Sequence, residues 1–201
     1  LVLVELQKAV PGMMASEITT GVPTEELEAG KDRLTAEETQ TLKKHQKRAE
    51  QIQQLLRQDG FFSKAPVLRA LGTPDDYRAW LASQACCYPQ PGMGGCQEGP
   101  VRFMDVVGTR LGDYNAIPMC GDHLQAWTDG MPDVGAQGQQ AFLTSQAVLF
   151  VQRWAQDALR RKLNVPNGYL PSGQLIYAWA ADHQLRGMLP TGFVPLMDPD
   201  N

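Results

Sequence analysis

Histidine and cysteine are scarce in this sequence, three and four residues among 201. Four cysteines are too few for the disulfide framework of a small secreted scaffold. No run approaches the roughly 18 uninterrupted apolar residues a membrane helix needs, so no span is expected. The apolar stretch 1–10 has no basic run before it and no small-residue cleavage site after it, so no secretion signal is read there and the expected location is the cytoplasm. Basic residues do not dominate either. Lys and Arg number 18 against 22 Asp and Glu, a net charge of −4, which excludes a chain that wraps nucleic acid by bulk charge. Ser83, Ser145 and Ser172 lack the Gly-x-Ser-x-Gly setting of a nucleophile elbow. The run Gly92-Met93-Gly94-Gly95 lacks the Lys-Ser/Thr and helix start of a phosphate loop and reads as a loop. There is no internal repeat.

What cysteine there is lies together. Cys86, Cys87, Cys96 and Cys120 fall within 35 residues, and His123 follows three residues after the last. Zinc takes about four nitrogen or sulfur ligands in tetrahedral array, and Cys120-x-x-His123 sets two of them on one helical turn. Cys86 or Cys87, with Cys96, supplies the other half. The eight residues between Cys87 and Cys96 are more than the usual two to four, and their glycines let the backbone fold back. The alternative is a set of buried thiols with no ion, since unbridged Cys is among the most buried residue types.

Hydrophobic periodicity predicts a mainly α protein. The clearest helix is 35–58, opened by the capping box Thr35-x-x-Glu38 and ended by Asp59-Gly60. Its apolar stripe, Leu42, Ala49, Ile52 and Leu56, is a thin seam that suits packing on the body or a homodimer through 35–58. Short helices are expected near 1–9, 24–30 and 66–71. A further helix is capped by Thr73 with Pro74 in first position. A strand over 101–107 and a helix containing His123 follow. Helices at 139–163 and 172–186 form a helical subdomain, and the tail after Pro190 is expected to fray. Trp80, Trp127, Trp154 and Trp179 each sit at an apolar helical position and are expected in the core. Three regions result: 1–72 with the arm helix, 73–135 as the zinc core, and 136–201 as the helical subdomain and tail.

Two stretches also carry a resemblance. Tyr77-Arg78-Ala79-Trp80-Leu81 with Cys86-Cys87, and Gly112-Asp113-Tyr114-Asn115-Ala116-Ile117-Pro118-Met119-Cys120-Gly121-Asp122-His123 ending in Thr128-Asp129-Gly130, resemble the two halves of HNH-type zinc proteins of phages and prophages, among them recombination-enhancing Ref-like nucleases. The resemblance covers about residues 75–130. It implies a structural zinc ion, a small ββα-like, zinc-stabilised core (α+β) within the mainly α chain, and a nuclease ancestry. It also implies a degenerate active site. The family has a water-activating histidine on the strand between the halves, where this chain reads Pro100-Val101-Arg102-Phe103-Met104. It has further histidines after its second cysteine, where this chain has Leu124 and Trp127. Neither Val, Leu nor Trp abstracts a proton or ligates a divalent ion.

The charge is unevenly spread. An acidic segment, 17–38, precedes the basic run Lys43, Lys44, Lys47 and Arg48, and Arg160, Arg161 and Lys162 form a second basic cluster. With the resemblance, these seven residues are the candidates for phosphate contacts. The function expected is a phage- or prophage-derived, DNA-associated protein of recombination or replication without catalysis. An active HNH-type endonuclease with other ligands is one alternative. A factor that binds a host recombination, replication or defence protein is the other.

Overall fold

The computed structural model describes residues 35–88, 101–129 and 136–197. Cys96, the expected helices near 1–9 and 24–30, and the glycine run 92–95 lie outside them. The described residues are mainly helical, with six α-helices and one two-stranded antiparallel sheet.

Helix α1 is Ala36–Gln58. Its start is the expected capping box: the Glu38 amide donates to the Thr35 hydroxyl at 3.2 Å, and the Thr35 amide donates to the Glu38 carboxylate at 2.7 Å. Only its last third is buried, through Ile52, Gln53 and Leu56. The expected seam therefore divides. Ile52 and Leu56 enter the chain's own core, whereas Leu42 and Ala49 stay half-buried. After Asp59, Gly60 takes φ 65°, a left-handed conformation that glycine adopts without strain. The turn lets a 3₁₀ segment, Phe61–Ser63, drive Phe61 and Phe62 into the core edge to face.

Helix α2 (Ala65–Leu71) buries Val67, Leu68 and Leu71. Helix α3 (Pro74–Leu81) is capped by Thr73 and Asp76, with Pro74 in its first turn as expected. Strands β1 (Arg102–Asp105) and β2 (Ala116–Met119) pair with Arg102 opposite Met119 and Asp105 opposite Ala116. β1 is largely exposed and β2 wholly buried, because β2 lies against α3 and helix α5 (Ala136–Lys162). Helix α4 (Gly121–Asp129) follows β2 directly.

Helix α5 runs through the middle. Leu143, Ala147, Phe150, Val151, Trp154, Ala155, Ala158 and Leu159 are buried at helical spacing. Trp154 packs edge-on against Tyr77 at 5.3 Å and at a 32° tilt against Tyr114 at 5.4 Å between ring centroids. Both tyrosines hold backbone: the Tyr77 hydroxyl donates to the Ala116 carbonyl, and the Tyr114 hydroxyl to that of Gly72, each at 2.7 Å. Burial pushes the Tyr77 phenol well above its usual range, so it stays a donor. Gly72 is fixed by close approach: a Cβ there would lie 3.1 Å from the Asp76 carboxylate and 3.2 Å from the Trp154 ring.

Helix α6 (Gly173–Asp182) is capped by Ser172 and buries Ile176, Trp179 and Ala180. It ends earlier than the 186 expected. The segment after Pro190 was expected to fray, but as far as residue 196 it is tied down. Phe193 is fully buried, and the Arg48 guanidinium donates to the Pro195 carbonyl at 3.3 Å. Its proline-rich composition masked the single aromatic anchor.

Candidate metal centre

Three chain segments converge at one buried point. The first leaves α3 and carries Cys86, Cys87 and Tyr88. It is pinned to β2 by the Cys87 amide, which donates to the Pro118 carbonyl at 2.8 Å. The second is the end of β2, where Cys120 immediately precedes α4 and its carbonyl accepts the Leu124 amide at 3.0 Å. Cys120 thus stands at the N-terminus of α4, one helical turn before His123. The third is the first turn of α4, which carries His123.

His123 Nδ1 lies 3.1 Å from Cys120 Sγ and 3.4 Å from Cys86 Sγ. The three ligand atoms all fall within 4.8 Å of one another, and all three residues are buried. Ligands about 2.0–2.3 Å from a tetrahedral ion sit roughly 3.5–3.8 Å apart. Cys86, Cys120 and His123 are therefore close enough to bind one metal ion. Two soft thiols and an imidazole with no carboxylate are donors suited to a soft or borderline ion rather than to magnesium or calcium.

The sequence left Cys86 and Cys87 as alternatives. The structure brings Cys86 into the group, while the buried Cys87 thiol does not join it.

Leu124 and Trp127 stand where the resemblance places histidines, and both pack. Leu124 is half-buried on the core, and Trp127 stacks on Phe142 of α5 with ring centroids 5.7 Å apart and planes 9° from parallel. Val101 precedes β1 and is half-buried. The other histidines are elsewhere: His45 is exposed on α1, and His183 follows α6, where its ring bonds the Trp179 carbonyl. Among the described residues no carboxylate joins the ligand group.

Sequence reasoning placed Trp127 in the core but missed the aromatic wall of which it is part. Tyr88 is buried beside His123, with ring centroids 5.0 Å apart, and it packs edge-on against Trp127 and Phe142. An aromatic residue directly after the cysteine pair was the available signal.

The seven basic candidates separate. Lys43, Lys44 and Lys47 are exposed on the half of α1 that projects from the core, while Arg48 reaches the Pro195 carbonyl. Arg160 donates to the Asp157 carboxylate at 2.7 Å and to the Val165 carbonyl at 3.2 Å, closing the end of α5. Arg161 also pairs with Asp157, at 3.3 Å. Lys162 is exposed. Hydrogen bonds from the Thr73 backbone and hydroxyl hold the Asp76 carboxyl below its usual range, and the charges of Lys162 and Arg161 add to this. The second basic cluster is thus largely engaged within the chain. No helix among the described residues is long and apolar enough to cross a membrane. No protein-family model, curated protein or solved structure matches the chain.

Proposed function

We propose that this chain is a zinc-stapled, non-catalytic protein that associates with DNA, derived from a phage HNH-type module. The observation that carries the reading is the convergence of Cys86, Cys120 and His123 at a buried point joining three segments. Zinc suits two thiolates and an imidazole, and Cys96 is the fourth ligand in this reading. Zinc held there supplies structural cross-linking: it ties the exit of α3 to the end of β2 and the start of α4. Catalytic zinc keeps an open position for water beside a general base. Apolar packing by Leu124 and Trp127 supports a structural role.

Lys43, Lys44 and Lys47 of α1 are the phosphate contacts of this reading, since they are exposed and close together on one helix. Each phosphate neutralised releases counterions, so binding to duplex DNA should weaken with salt at a log–log slope of about −0.9 per contact. Replacing the three lysines by glutamate should weaken binding to all sequences about equally, because phosphate contacts carry no base information. Plasmid and single strands incubated with the protein in magnesium, manganese or zinc should remain uncut. Cleavage abolished by His123→Ala would favour the endonuclease alternative. Folded, zinc-loaded protein that binds no DNA at low salt would favour a protein-binding factor. The exposed Phe103 and Val107 at the β1 side give that reading its surface.

A homodimer through α1 now rests on Leu42 and Ala49 alone. Two half-buried side chains give a weak seam, so any dimer should dissociate on Leu42→Asp in sedimentation without loss of fold. A wild type that sediments as a monomer at high concentration excludes the dimer.

A further inference from the structure

We infer that Tyr88 is the positioning residue of this centre: its ring holds the His123 imidazole with Nδ1 turned toward the two sulfurs, and it couples metal affinity to helix α5. The inference rests on the metal reading above and adds to it a residue that touches no metal.

A histidine in the first turn of a helix can turn its ring about the Cβ–Cγ bond. A half-turn would replace Nδ1 by a carbon that ligates nothing. In this chain Nδ1 faces both Cys120 and Cys86, at 3.1 and 3.4 Å. The ring packed on that imidazole is Tyr88, with planes inclined at 57°. Tyr88 is itself fixed from two other elements. Trp127, four residues beyond His123 on α4, meets it at 81°, and Phe142 of α5 meets it at 77°. Trp127 and Phe142 stack on each other, so the wall is closed among its own members. Rings meeting edge to face are oriented by their quadrupoles as well as by contact, which makes the arrangement specific to aromatic side chains. Tyr88 is only two residues from Cys86, so the segment that brings a sulfur also brings the ring that aims the nitrogen.

Groups that orient a metal's ligands typically change affinity by about 10- to 100-fold when removed. Coupling between two sites is also reciprocal. Metal loading should therefore tighten the packing of Phe142, and loosening Phe142 should weaken the metal, because Phe142 is one of the two rings that fix Tyr88.

The test is competition for zinc between the full chain and a chromophoric chelator, run on wild type, Tyr88→Phe, Tyr88→Leu and Phe142→Leu, with far-UV circular dichroism to confirm the fold. Tyr88→Phe should bind within about twofold of wild type. Tyr88→Leu should bind about 10- to 100-fold more weakly, and Phe142→Leu should also weaken binding. Long-range ¹H–¹⁵N correlation of ¹⁵N-histidine protein should show zinc on His123 Nδ1 in wild type. The inference is overturned by unchanged affinity in Tyr88→Leu, by equal losses in Phe and Leu at position 88, or by zinc on Nε2. If Tyr88→Leu does not fold, unchanged affinity in Phe142→Leu overturns it. Wild type that binds no zinc at all sinks the metal centre itself, and the inference with it.

Discussion

Replacing Trp154 by alanine should cost about 3–5 kcal/mol of folding stability, the range for truncating a large buried aromatic. The indole is 1 % exposed and is shared by several parts of the core. It packs on Tyr77 of α3 and on Tyr114, which precedes β2, and its edge fits against Gly72. Those two tyrosines hold the Ala116 and Gly72 carbonyls, so the cavity would lie beside one buried and one part-buried hydrogen bond. For a chain of this size the loss corresponds to roughly 6–20 °C in melting temperature. Leu149→Ala, on the same helix but 37 % exposed, is the control and should change stability by about 0.5 kcal/mol or less. Equal losses in the two variants would remove Trp154 from the centre of the account.

Cys120→Ser should abolish stoichiometric metal binding and destabilise the fold by about 3 kcal/mol or more. That is a fraction of the roughly 10–16 kcal/mol that zinc supplies to finger peptides with little other core. The loss is smaller here because the chain has an extensive apolar core of its own. Chelation should act on the same region. The Cys87 amide, bonded to the Pro118 carbonyl, and the Leu124 amide, bonded to the Cys120 carbonyl, should lose hydrogen-exchange protection first. Amides at the centre of α5 should hold longest. Cys87→Ser should retain the metal, because its sulfur stands outside the ligand group. A Cys87→Ser variant that loses metal while Cys86→Ser keeps it would reverse that assignment.

Helix existence was readable wherever a cap and a periodic stripe coincided. Thr35 with Glu38 opens α1, Thr73 with Asp76 and Pro74 opens α3, and Ser172 opens α6. The apolar run of α5 was equally plain. β2 was harder to read, because Ala116–Met119 is buried on both sides and four apolar residues before a helix show no alternation. The tail failed for a different reason: one buried phenylalanine outweighs several glycines and prolines, which no local pattern reveals. At the centre, spacing placed Cys120 and His123 together, since three residues are one helical turn. Cys86 against Cys87 could not be decided from sequence, because two adjacent cysteines differ only in the side of the chain they face. The engagement of Arg160 and Arg161 with Asp157 was visible as spacings of three and four on one helix, but a basic cluster draws the eye to partners outside the chain.

Elemental analysis of the purified wild-type chain, alongside the Cys86→Ser/Cys120→Ser double variant, decides whether zinc occupies this centre. One zinc ion per wild-type chain, retained through gel filtration without added metal, and none in the double variant, is the expected result. A fully folded wild type that contains no zinc, takes up none on titration, and leaves its Cys86 and Cys120 thiols equally reactive with and without zinc would contradict it.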